Sequence, residues 1–332
     1  MKTFFRAVSV AALVFGIQAA NADEFNPAVV FDMGGKFDKS FNEGVYNGVE
    51  RFKSETGEKY REFEVTNETQ REQAIRKMAQ RGSNPVLGIG FAQADAISKV
   101  AAEYPDTDFA IIDMVVDQPN VQSVIFKEHE GSFLVGLLAA MKSETGKVGF
   151  IGGMDIPLIR KFACGFEQGA KFANPDVEVI QNMTGTTPAA WNDPGKGSEL
   201  TRAQFDQGVD VVFAAAGGTG VGVLQTAADE GKYSIGVDSN QNHLHPGSVL
   251  TSMLKRVDVA AYQVFKSANE GTFEPGFNEY GLAEGGVGWS LDEHNKDLIT
   301  AEMKEAADLA EADIIAGAIR VHNYMDDSTC TY

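Results

Sequence analysis

The chain has 332 residues, two cysteines, five histidines and a formal net charge of −19. Such acidity excludes nucleic acid and anionic membrane surfaces as partners, because both would repel it. It places no restriction on a small ligand held in a closed cleft.

Lys2 and Arg6 precede the apolar run AVSVAALVFGI, which is too short to span a bilayer, and Ala20-Asn21-Ala22 gives a small-x-small cleavage pattern. Residues 1–22 read as a secretory signal peptide cut after Ala22, with no cysteine at that point to carry a lipid. The segment holds two basic residues and no acidic one, so its removal takes the charge from −19 to −21 and leaves 310 residues. That length suits two domains.

Beyond the leader, apolar runs alternate with amphipathic stretches. PAVVF leads to FNEGVYNGVERFKSE, PVLGIG to ADAISKVAAEY, and FAIID follows. KVGFIGG then leads to RKFACGFEQGAKF, VDVVFAAA to GVLQTAADEG, and YSIGVD follows. Short apolar strands separated by helical patterns specify βαβ units and parallel sheets, so an α/β fold is predicted.

The order also repeats. Residues 41–48 and 162–169 share F-x-x-G-x-x-x-G at an offset of 121, each after a strand and a Gly-Gly loop, Gly34-Gly35 and Gly152-Gly153. Arg81-Gly82 matches Gln207-Gly208 at 126, and Asp113 matches Asp238 at 125, as Ser123-Val124-Ile125 matches Ser248-Val249-Leu250. Two similar lobes follow: residues 23–145 plus about 252–285, and 146–251 plus about 286–332. Crossings between them are expected near Thr145-Gly146, Thr251-Ser252 and Glu284-Gly285-Gly286. Ligands of parallel sheets bind beyond the carboxyl ends of the strands, where Asp32, Asp113, Gly217 and Asp238 fall.

Chemistry is harder to find. DMGGKFDKSFN, residues 32–42, lacks the P-loop spacing, and Asp32 and Asp38 flank it, a poor setting for an anion. Gly218-Thr219-Gly220-Val221-Gly222, with Asp238 20 residues after Gly218, imitates a dinucleotide loop, but its third glycine is misplaced. No G-x-S-x-G or H-E-x-x-H is present, and no serine–lysine motif can be placed in a catalytic setting. His243 and His245 form one H-x-H, while His129, His294 and His322 are scattered without ligand spacing, so all five read as exposed loop and helix histidines and no metal is expected. Cys164 and Cys330 could pair in an oxidising compartment, though the sequence does not place them within reach. The tail HNYMDDSTCTY reads as a frayed end.

DMGGKFDKSFNEGVYNG, GFAQADAI with YPDTDFAIID, KVGFIGGMDIPLIRKFACGFEQG, DVVFAAAGGTGVGVLQ, IGVDSNQ and TSMLKRVDVA together resemble the basic membrane protein family, the purine-nucleoside-receptor-like substrate-binding proteins of ABC transporters. The similarity runs through nearly all of residues 27–290. It implies a type I periplasmic-binding fold that closes on a nucleoside, with no cofactor and no catalysis. It also implies a periplasmic, monomeric protein served by membrane permease and ATPase subunits.

Carried over residue by residue, Asp32 is the acid after the first strand, Phe41 stacks on the base, and Asn42 is a polar contact. Trp191, where relatives usually have Phe, covers the other face of the base. Asp113 faces the base edge, and Gly217, Asp238 and Lys255 lie on the ribose side. Asp238 beside Lys255 would then stay ionised. The alternatives are a receptor for a sugar or an amino acid, and an extracytoplasmic nucleoside-processing enzyme.

Overall fold

The structure, a computed structural model, describes residues 25–330. The signal-peptide reading of residues 1–22 lies outside the described residues.

In the first half, β1 (Ala28–Phe31), β3 (Val86–Ile89) and β4 (Phe109–Ile112) are four-residue apolar runs buried on both faces, as strands sandwiched between helix layers must be. With β2 (Arg61–Glu64), β5 (Val121–Phe126) and the late strand β11 (Gly276–Tyr280) they form a parallel sheet of order β11-β5-β4-β3-β1-β2. Helices α1 (Phe41–Thr56), α2 (Gln70–Gln80) and α3 (Ala94–Glu103) connect its strands.

The second half repeats this plan. β6 (Lys147–Met154), β7 (Glu178–Gly185), β8 (Val211–Ala215), β9 (Tyr233–Asp238), β10 (Val249–Lys255) and β12 (Val287–Trp289) order as β12-β10-β9-β8-β6-β7. The connecting helices are α5 (Pro157–Ala173), α6 (Pro194–Asp206) and α7 (Gly220–Asp229). The repeat is broken only at the last edge, where β12 runs antiparallel to β10 while β11 runs parallel to β5. Gly152 and Gly153, expected in a loop, lie inside β6.

The helices after the fifth strands are exchanged. Helix α4 (Glu128–Lys142), which follows β5, packs on α5 of the second lobe; α8 (Val257–Asn269), which follows β10, packs on α1 of the first. This exchange explains the repeated G-x-x-x-G. A Cβ on Gly48 would sit 2.1 Å from the carbonyl oxygen of Asp258, and one on Gly169 would sit 1.8 Å from that of Phe133. Only glycine permits such close approach of two helix backbones.

Two of the three expected crossings therefore shift. The chain passes between lobes at Lys127, at Arg256 and within residues 281–286. Thr145-Gly146 is instead a turn inside the second lobe, where the Asp210 carboxylate accepts bonds from the Ser143 hydroxyl (2.6 Å) and the Glu144 and Thr145 amides (2.7 and 3.0 Å). Thr251-Ser252 lies mid-strand in β10. A sequence period marks where each repeat begins, and the exchange of a helix leaves no trace in it.

The tail is not frayed through residue 330. Val321 is buried, Gln168 bonds the backbone of His322 through both ends of its amide (2.7 and 3.0 Å), and Cys164 and Cys330 form a disulfide with Cα atoms 5.5 Å apart. α9 (Ala301–Ile315) and the short α10 (Tyr324–Asp327) complete this side. His129, expected at the surface, is 7% exposed, and burial pushes its imidazole down to about 3.

Candidate functional site: a cleft between the lobes

The carboxyl ends of both sheets face one cleft, whose space, open mouth included, is about 650 Å³. All eight residues singled out from the sequence line it: Asp32, Phe41, Asn42 and Asp113 from the first lobe, and Trp191, Gly217, Asp238 and Lys255 from the second.

Local structure explains how each is held. Asp113 and Asp238 end β4 and β9 at repeat-equivalent positions, and both take left-handed backbone, φ 77° and 62°. Aspartate tolerates this region better than most residues, and strain of this kind tends to collect at binding sites. Gly90 and Gly217 lie just after β3 and β8, also with positive φ (94° and 54°). A Cβ on Gly90 would press on the Asp32 carboxylate at 3.2 Å. Trp191 closes a 3₁₀ turn, Pro188–Trp191, and its indole occupies the space that a side chain on Gly153 would need, 2.1 Å from a Cβ there.

The start of α1 is held by Asp38, whose carboxylate accepts from the amides of Ser40, Asn42 and Glu43 at 2.9–3.1 Å. Asp32 is thus free of the capping role and pairs with Arg71 at 3.0 Å. Three contacts tie this helix start to the other lobe: the Ser40 hydroxyl donates to Asp238, the Ser239 hydroxyl to the Ser40 carbonyl (3.0 Å), and the Gln241 amide to the Lys39 carbonyl (2.9 Å).

Lys255 does not pair with Asp238 as expected. Its ammonium lies 2.7 Å from Asp113 across the cleft and 2.9 Å from Glu128, and Glu128 is in turn 2.6 Å from Lys161. These four side chains are 7% exposed or less. The acid expected at a base edge and the lysine expected on a ribose side are therefore one ion pair. The same ammonium sits 5.2 Å from the ring centre of Phe41 and 5.6 Å from that of Phe162.

Burial pushes Asp238 up to about 6 despite Lys255 and the Ser40 hydroxyl, and it pushes Asp38 and Asp113 up to about 6 as well. Glu128 is equally buried, but two ammonium groups face it and hold it below the carboxylate range. Four carboxyl groups thus share the lining with Lys255. Asn42 adds a buried side-chain oxygen with no hydrogen-bond partner. Leaving such an acceptor unpaired costs about 1–3 kcal/mol, which a ligand donor would recover.

Residues 25–323 match the family model for the PnrA-like ABC transporter substrate-binding proteins, Bmp. The chain belongs to the Bmp family. Among its relatives, the ABC transporter nucleoside-binding protein BmpA of Lactococcus lactis is 33% identical over 90% of this chain and 89% of its own length. The CD4+ T-cell-stimulating antigen of Listeria monocytogenes is also 33% identical, over 91% and 89%. A solute-binding protein of an ABC transporter system from Aeropyrum pernix K1 superposes with a TM-score of 0.84 at 28% identity, covering 92% of this chain and 95% of the other.

For this Bmp-family chain the site is larger than the sequence indicated. Phe162 lines the cleft at the position equivalent to Phe41, so the repeat itself held that signal, and Gly90 lines it as well. Asp38 and Phe91 line it too. Glu128, which with Asp113 and Asp238 keeps Lys255 charged, left no motif at all.

Proposed function

We propose that this substrate-binding protein is a periplasmic receptor that closes on a purine nucleoside, presents it unchanged to an ABC permease with its ATPase subunits, and acts as a monomer. The observation that carries the reading is that Phe41 from one lobe and Trp191 from the other line the same cleft as the strand-end carboxylates. A purine is flat and apolar on its faces, and stacking on two aromatics is worth about 1–3 kcal/mol per base contact. An ionised carboxylate accepts two hydrogen bonds, which suits the vicinal hydroxyls of ribose. The four acids disfavour a phosphate, so the nucleoside is preferred to its nucleotide. The Lactococcus relative's name supports the ligand class, and the disulfide supports export, because such bonds persist in oxidising compartments.

Incubation with inosine, adenosine or guanosine should raise the melting temperature and return the nucleoside intact; release of base and ribose would make the protein an enzyme. A sugar or amino acid that displaces every nucleoside would reassign the receptor. Trp191→Ala should weaken all purine nucleosides together by about 1–3 kcal/mol, since stacking reads the π-face. Asp238→Ala should penalise ribonucleosides over free bases and 2′,3′-dideoxy analogues, by about 1.5–3 kcal/mol. Equal losses for ribosides and free bases would remove Asp238 from the ribose.

pH gives an independent check. Ribose hydroxyls donate to the ionised form of Asp238, so affinity should rise with pH through about 6. Between pH 7 and 5 it should fall about tenfold. The ligand-free protein should run the other way. A carboxyl raised above its unfolded value, as Asp38 and Asp238 are, binds more protons folded than unfolded between about 4 and 6. Their contribution is largest at the acid end of that window and is lost as pH rises through 6. Calorimetric titrations at pH 5, 6 and 7 would show a flat affinity if Asp238 does not meet the ligand.

A further inference from the structure

Fifty-one residues separate His243 from His294, and the chain brings their rings to within 6.5 Å, centre to centre, on the outside of the second lobe. Beside His294, the donor atoms of Asp292, Glu293 and His294 all lie within 4.8 Å of one another. We propose that Asp292, Glu293, His294 and His243 form a site for one divalent transition-metal ion of the zinc class.

Imidazole nitrogen combined with carboxylate oxygen selects Zn²⁺ or Cu²⁺ over Mg²⁺ and Ca²⁺, which prefer oxygen alone. Two carboxylates and two neutral imidazoles balance the charge of a dication. Bonds of about 2.0–2.2 Å put neighbouring donors about 3–4 Å apart, so small side-chain movements bring Asp292, Glu293 and His294 to coordination, and His243 must swing its ring toward His294 to join them.

The backbones that carry the ligands are already fixed. The Asp292 carboxylate accepts from the side-chain amides of Asn240 (2.7 Å) and Asn242 (3.1 Å), residues flanking the approach to His243. Asn242 is fully buried, and its oxygen accepts from the Ser252 and Ser290 hydroxyls at 2.9 and 3.1 Å. The carbonyl of His294 accepts from the Gly247 amide at 3.3 Å. Partners of this kind orient first ligands and raise metal affinity. The ligand side chains face solvent, with His294 35% and Glu293 77% exposed, so an ion has free entry.

The site would staple the loop after β9 to the segment after β12. That loop begins next to Asp238 and carries Gln241, which holds the Lys39 carbonyl across the cleft. The site lies outside the cleft and does not rest on the nucleoside reading.

Titration of the untagged mature chain with ZnCl₂ by calorimetry at pH 7.5 tests it. Wild type should take up one ion, and His243→Ala and His294→Ala should each weaken it at least about tenfold. His245→Ala, in the same loop, should bind as wild type, and MgCl₂ should give no heat. The histidines are at the surface, and unchanged melting temperatures without zinc would verify that the variants are folded. A Zn²⁺ isotherm that survives in the double His243→Ala/His294→Ala variant would overturn the proposal, as would no binding to wild type below about 1 mM.

Discussion

Lys255→Met should cost the ligand-free protein about 3–5 kcal/mol at pH 7.5, the usual penalty for removing one member of a buried charge cluster. Lys255 is 2% exposed and faces Asp113 and Glu128 directly, with Asp238 close enough to add to the field. Burial pushes the ammonium down, but Asp113, Glu128 and Asp238 together hold it above the ordinary lysine value. Without it, Lys161 still supports Glu128, but Asp113 loses its only ammonium contact among the described residues. Asp113 should then take a proton in the folded state, so its carboxyl moves up further from about 6. A raised acid stabilises below its folded value and loses that contribution as pH rises through it. The variant should therefore recover much of its deficit at pH 5. Lys255→Met/Asp113→Asn should recover part of it at pH 7.5, since no acid is then left unpaired across the cleft. Urea denaturation at both pH values reads these effects. A Lys255→Met midpoint equal to wild type at pH 7.5 would show that the cluster is open to water and weak.

The difference between what the sequence disclosed and what it concealed follows from the range of the forces involved. β1, β3, β4 and β8 were legible because a strand buried on both faces must be an unbroken apolar run, and each run is a local feature. The strand-end residues were legible for a related reason. A parallel sheet presents the residue after each strand to the ligand side, and the repeat aligned Asp113 with Asp238. The helix exchange was written in Gly44-x-x-x-Gly48 and Gly165-x-x-x-Gly169, but those spacings show only that something approaches closely, not which helix does.

Side-chain partnerships were the least legible. Asp238 and Lys255 were expected to be neighbours because the resemblance puts both on the ribose side. The shorter contact runs from Lys255 to Asp113 in the other lobe, and Asp238 takes the Ser40 hydroxyl instead. Such choices depend on differences of one or two ångströms at the meeting of two lobes, which no pattern along the chain encodes. Glu128 was hidden for another reason. It opens an exchanged helix in the run EHEGSFLVG, where an acid in the first turn looks like an ordinary response to the helix dipole.

The disulfide was left open by the sequence and is present in the structure, and its removal should have the second large effect. Cys164 and Cys330 are 166 residues apart, so the bond closes a long loop in the unfolded chain. Loss of a native disulfide typically costs about 2–5 kcal/mol, chiefly because the unfolded chain regains freedom, and long loops lie toward the upper end. Cys330→Ser is the cleaner variant. Its partner Cys164 is 1% exposed on α5, where a serine hydroxyl would add a burial cost of its own, so Cys164→Ser should fall further than Cys330→Ser. Reducing agent should lower the denaturation midpoint of wild type to that of Cys330→Ser and leave the variant unmoved. If the proposed function holds, nucleoside affinity gives the more telling readout. The same helix carries Phe162, which lines the cleft, and Lys161, which pairs with Glu128, each one turn or less from Cys164. If the bond acts on the unfolded chain, affinity should stay within about twofold of wild type, since Gln168 still holds the His322 backbone through two hydrogen bonds. An affinity that drops tenfold with the disulfide would mean that the tail positions α5 against the ligand.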